Sequence, residues 1–277
     1  MKLSRKSFFT TVKQIKAIKN AVNVIPTDDY PSRKGFLESE DIVYQLFTLD
    51  EDEERNRKLD FLGDCKCLLK NAKKRTIKVE GYLLSDVKGL SSIDYHAGEK
   101  GLDFEEFKQK CFKDSKMFIP KDFIKLYNEI FACNNVTVRK HLWNGNIYFV
   151  NQDFSHRIGT LCVMDPKYKV IQEVTQVSFD MDVLKDFFSY YLVFIVQTEK
   201  DYESPFPLSL FKNEANEGTV CVTCDGDDFY HFIFVRNTSK AEAIYNAMTE
   251  KRILCLNSLL EVKNNRQEIL AVEEKPY

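Results

Sequence analysis

Glycine and proline are scarce in this chain, ten and seven of 277 residues. That disfavours a loop-rich scaffold and leaves long regular elements as the expectation. There is no positive excess either: 40 basic residues face 42 acidic ones, for a net charge of −2. Affinity for nucleic-acid backbones comes largely from counterion release, so non-specific DNA or RNA binding by the whole chain is disfavoured. The eight cysteines (Cys65, Cys67, Cys111, Cys133, Cys162, Cys221, Cys224 and Cys255) follow no framework spacing. They read as reduced thiols of a cytosolic protein. No apolar stretch follows the basic start MKLSRKSFF, so no secretory signal is expected. The longest apolar run, Phe187 to Val196, is broken by Ser189 and is too short to span a bilayer. A cytoplasmic protein without a membrane partner is therefore expected. Walker A loop, nucleophile elbow, dinucleotide-binding glycine fingerprint and HExxH zinc motif are all missing.

What the chain does have is large side chains: 22 Phe, 13 Tyr and 44% hydrophobic residues, with 30% charged. This is the composition of a globular protein rather than a disordered one. Between Arg5 and Val22, Phe8, Val12, Ile15, Ile18 and Val22 recur at helical steps opposite a lysine-rich face. Such a face suits a membrane surface or an acidic partner, although a docked helix with a solvated basic side accounts for it as well. TDDYPSRKG reads as a connector, Ser39 as a helix cap, and Asp50 to Lys58 as a helix whose acids precede its bases.

A strand is expected at Thr76 to Leu83, then a structureless loop from Ser85 to Asp103 that carries Asp94 and His96. Helices are expected at Phe104 to Phe112 and Lys121 to Ala132. Tyr168 to Phe179 reads as a strand whose alternation over Val170, Gln172, Val174 and Gln176 implies one wet face. A helix at Met181 to Tyr190 and a buried strand at Leu192 to Gln197 follow. Thr219 to Cys224 and Phe229 to Val235 form a hairpin, and Ser239 to Met248 a helix. Arg252 to Leu256 returns as a strand. The expected fold is α+β. Residues 1–74 form a more helical N-terminal region, 75–264 a mixed α/β core with flanking helices, and 265–277 a polar tail.

One stretch concentrates reactive residue types. Val136 to Met164 reads as strand, Asn144-Gly145 hairpin with a two-residue type I′ turn, strand, polar turn and helix. Asp153 or Ser155 is placed to cap the helix, whose N-terminus offers N–H donors and partial positive charge. Arg157 adds a planar fork suited to phosphate, and His156 a group that donates or accepts near neutral pH. Arg139 on the preceding strand is a supplementary cation. The same residues would equally serve as a helix cap with structural hydrogen bonds.

The run NGNIYFVNQDFSHRIGTL resembles the second conserved box of the ParB/sulfiredoxin-like fold, in versions with an Asp-Gly-x-His-Arg signature. Asp153, His156 and Arg157 fall on the signature positions, and Ile158, Gly159 and Leu161 on the helix. The resemblance covers roughly thirty residues. It implies a ParB/sulfiredoxin-like mixed sheet whose turn cradles the phosphates of a nucleotide, in a family that includes CTP-dependent partition proteins, nucleases, kinase-like enzymes and sulfinic-acid reductases. Phe154 stands in place of the expected glycine. Ser155 stands where the reductases carry cysteine, which leaves the reductase reaction unsupported.

Two further clusters are weaker. Cys221-Val-Thr-Cys224 has the CxxC spacing of redox and zinc sites, but no second pair completes four ligands. Asp225-Gly-Asp-Asp228 with His231 suits a hairpin turn, and if a nucleotide binds, these acids are the first choice for holding Mg²⁺. Two functions emerge. One is a protein that binds a nucleotide or phosphate ligand at turn 151–157, any reaction there being phosphoryl or phosphodiester chemistry. The other is a non-enzymatic interaction module, an accessory or inhibitor component of a bacterial defence or mobile-element system.

Overall fold

The computed structural model describes residues 44, 46–47, 59–90, 104–114, 122–132, 136–151, 154–197, 220–224, 230–237, 241–250 and 253–273. The expected helix at 5–22, the connector, the charge run 50–58, residues 91–103, Asp153 and Asp225–Asp228 lie outside them. The fold is α+β. The described residues form two compact units, one of 44–73 with 180–262, the other of 74–179 with 263–273.

The second unit holds a five-stranded sheet. Its strands are β1 (Lys73–Leu83), β2 (Val87–Leu90), β3 (Val136–His141), β4 (Ile147–Asn151) and β5 (Lys169–Phe179), in the order β1-β5-β3-β4-β2. β3 pairs antiparallel with β4 and parallel with β5, and β2 pairs parallel with β4, so the sheet is mixed. Strand β2 lies inside the stretch expected to be structureless. Four residues are too few to show a period of two, and what makes them a strand is non-local pairing, Val87 opposite Ile147.

Helices α2 (Phe104–Asp114), α3 (Phe123–Phe131) and α4 (Ser155–Met164) belong to the same unit; α1 (Lys66–Ala72) belongs to the other. Helix α3 starts at Asp122, whose carboxylate accepts the Lys125 N–H at 2.8 Å. The three helices bury Phe107, Cys111, Leu126, Ile130, Ile158 and Leu161 with Val138, Phe149, Val170 and Val174 of the sheet. Gly159 lets α4 approach α2 closely: a Cβ there would sit 3.0 Å from Cys111 Sγ.

The wet face expected of β5 exists, but the glutamines are not on it. Gln172 and Gln176 share a face with the buried Val170 and Val174, while Lys169, Ile171 and Glu173 are exposed. Val170, Gln172, Val174 and Gln176 are two residues apart and lie on one face, so the alternation of Val and Gln did not separate the faces.

The other unit holds a sheet of β6 (Tyr191–Gln197), β7 (Val220–Cys224), β8 (Tyr230–Arg236) and β9 (Leu254–Cys255), ordered β7-β8-β6-β9 with every pairing antiparallel. It also contains α5 (Met181–Tyr190), α6 (Ala241–Glu250) and the first turns of α7 (Leu256–Glu273). Asp180 caps α5, accepting from the N–H groups of Asp182 and Val183. Phe187 of α5 meets Phe234 on one face of the sheet, and Tyr245 of α6 meets Phe194 on the other. Covering on both faces explains why Phe232 to Val235 is an unbroken apolar run, each residue fully buried. No helix among the described residues is long and apolar enough to cross a membrane.

Candidate phosphate-binding turn

The hairpin that leads to the site is wider than its Asn-Gly pair suggests. His141 N–H donates to the Asn146 carbonyl at 2.9 Å, and the His141 carbonyl accepts the Gly145 N–H at 2.7 Å. Four residues, Leu142 to Gly145, thus separate that pair, where a two-residue type I′ turn was expected. Gly145 supplies the positive φ, 73°. Asn144 Oδ1 accepts the Asn146 N–H at 2.9 Å, a local Asx-type closure. The longer loop folds Trp143 inward, fully buried and stacked on His141 at 4.4 Å. Tyr148 covers His141 as well, at 4.7 Å. An apolar driving force of a whole indole outweighs the intrinsic preference of the two-residue turn.

Strand β4 then delivers the chain to α4. The N-cap is Phe154, which makes no side-chain capping bond, and Ser155 is the first residue of the helix. The expected cap by Ser155 is therefore corrected: its side chain is one position too far along, and buried. Phe154 has φ −110°, open to any residue, so the backbone does not require the glycine that the resemblance expects there. Its ring packs against the core and lies 5.3 Å from the Arg157 guanidinium carbon, a cation–π contact that sets the direction of Arg157. His156 is exposed and stacks on Phe107 of α2 at 5.9 Å.

The first turn of α4 therefore brings Ser155, His156 and Arg157 together. Arg139 is not with them. It sits opposite Tyr148 and Thr175 on the sheet face that alternates with Val138, whereas α4 packs on the Val138 face.

Compared with protein-family models, with curated proteins and with solved structures, the chain matches none. The geometry stands on its own.

Cys221 and Cys224 lie on β7 opposite Phe234 and His231. No group of three or more His, Cys, Asp or Glu placed to hold a metal occurs among the described residues. Cys111 and Cys162, between α2 and α4, have their thiols pushed up to about 12 by burial, which makes them poor nucleophiles.

One group escaped the sequence altogether. On the helix-covered face of the sheet, Lys140 Nζ lies 3.2 Å from Glu80 Oε2, each side chain less than a fifth exposed. The buried Gln176 donates to the same carboxylate and accepts from Thr76 Oγ1 at 3.4 Å. Beside it, Gln172 donates to the buried Tyr82 hydroxyl. These residues come from three strands and are remote in the chain, so no local motif announces them.

Proposed function

We propose that the chain binds a phosphate-bearing ligand, a nucleotide in the first instance, at the start of α4. The observation that carries this is the first helical turn itself. Ser155, His156 and Arg157 follow an N-cap residue with no side-chain acceptor to offer, and Arg157 is oriented by the Phe154 ring. A helix N-terminus attracts anions through its N–H groups and dipole, and an arginine fork matches phosphate oxygens. The ParB/sulfiredoxin-like resemblance belongs to the same proposal, since its signature positions include His156 and Arg157. Positioning and charge stabilisation would be the protein's contribution to any phosphoryl chemistry there.

A nucleotide panel, with and without Mg²⁺, tests it by thermal shift. A binder at a hundredfold excess over its Kd stabilises by about 2.7 kcal/mol. The pair His156→Ala/Arg157→Ala is expected to remove the shift while leaving the melting point of the ligand-free protein in place. No shift with any nucleotide would reduce the turn to a structural junction. So would a double variant that unfolds.

A further inference from the structure

Helix α4 turns different sides to different neighbours. Ile158 and Leu161 belong to the core that the helices form with the sheet, and Gly159 faces Cys111 and Phe107 of α2. Thr160 follows Arg157 by three residues and His156 by four, so it lies on the same side of the helix as those two. Helical side chains lean toward the N-terminus, which directs Thr160 back over their turn. It is 2% exposed, and its hydroxyl makes no hydrogen bond among the described residues. A threonine inside a helix ordinarily donates to a carbonyl three or four residues earlier, and buried polar groups without a partner are few. This one sits one turn beyond the residues that offer cations to a phosphate.

We propose that Thr160 is a binding residue of the phosphate site, its hydroxyl donating to an oxygen of a terminal phosphoryl group held between the start of α4 and Arg157. This rests on the phosphate-binding reading of that turn, and it narrows the substrate class to ligands that end in a phosphate. The hydroxyl is closed off from water by the packing around α4, so a ligand reaches it end-on, from the first turn. A monoester phosphate, or the last phosphate of a nucleoside di- or triphosphate, enters in that way and presents three acceptor oxygens. An internal phosphodiester carries chain on both sides and stops at the Arg157 fork. Nucleic-acid backbones are excluded on the same ground, in keeping with a net charge of −2. Arg157 supplies charge and Thr160 selects the phosphate that is free at one end.

The test is calorimetric titration of the full chain with the ribonucleoside 5′-monophosphates of A, C, G and U. The matching 3′,5′-dinucleotides ApA, CpC, GpG and UpU, whose only phosphate is internal, serve as controls. At least one monophosphate should bind about tenfold more tightly than its dinucleotide. Thr160→Val should weaken that monophosphate about tenfold and leave the dinucleotide where it was, while its melting temperature does not fall. Thr160→Ser keeps the hydroxyl and should keep the preference, although a purely structural threonine would tolerate valine better. The proposal is overturned, with the phosphate reading intact, if monophosphates and dinucleotides bind the wild type alike. It is equally overturned if Thr160→Val binds the monophosphate as the wild type does, which would assign the hydroxyl to a bound water, or weakens both ligand types equally. Failure of every ligand to bind the wild type overturns the phosphate reading along with it.

Discussion

The two sheets differ in how completely their second face is covered. The central strands of the four-stranded sheet are covered on both faces: Phe234 points to α5, Phe194 points to α6, and the stretch Phe232 to Val235 is fully buried. The five-stranded sheet is covered by helices on one face, with a polar network under them, while its other face buries His141, Tyr148 and Val177 but leaves Ile77, Val79 and Ile171 open. The proposed phosphate turn falls on the unit of the mixed sheet.

The largest effect that separates the two sheets comes from truncation. Phe234→Ala removes a ring from a site with no exposure and should cost about 3–5 kcal/mol in chemical denaturation. Val79→Thr, on the open face, should stay within about 0.5 kcal/mol of wild type. Comparable losses at both positions would mean that the open face is covered in solution. The contrast between the sheets would then collapse.

A smaller effect tests the polar network. Lys140→Met leaves the Glu80 carboxylate partly buried without its cation and should cost about 1–3 kcal/mol. Adding Glu80→Gln should recover part of that loss, because the two residues act as one group. A coupling of about 0.5 kcal/mol or more in the double-mutant cycle is expected. Strict additivity would show two independent surface residues, and the mixed sheet would then be no more polar inside than its neighbour.

The limits of the sequence follow the same division. Strands β6 and β8 were legible because apolar runs of strand length carry their own evidence of burial, and a turn signal at Asp225-Gly226 precedes β8. β2 was not legible, since only its pairing with β4 makes it a strand. The hairpin around Asn144-Gly145 was placed correctly, but its loop width was decided by Trp143, whose burial depends on residues as distant as Phe179. At the candidate site, the helix and the first-turn residues were legible from local chemistry. Arg139 was not separable from them until the β3 register fixed which face it occupies. The Glu80–Lys140–Gln176 network left no trace at all, because spacings of 60 and 96 residues have no pattern to read. The division into two discontinuous units is equally a product of long-range pairing.

The smallest effect bears on whether the mixed-sheet unit sacrifices stability for its site. Thr160, one turn into α4, is 2% exposed, and its hydroxyl has no hydrogen-bond partner among the described residues. A threonine inside a helix ordinarily bonds a carbonyl of the preceding turn, so this vacancy is a cost carried by the fold. Thr160→Val keeps the shape and the β-branching and removes the unmet donor. It should stabilise the ligand-free protein by up to about 1 kcal/mol, read as a rise in melting temperature. Thr160→Ser, which keeps the hydroxyl and opens a methyl-sized void, should lower it instead. The same valine variant in the nucleotide panel then separates two origins of the cost. An unchanged ligand shift makes the hydroxyl an accident of packing. A diminished shift makes it part of the binding turn, in the way functional sites retain groups that the bare fold would discard.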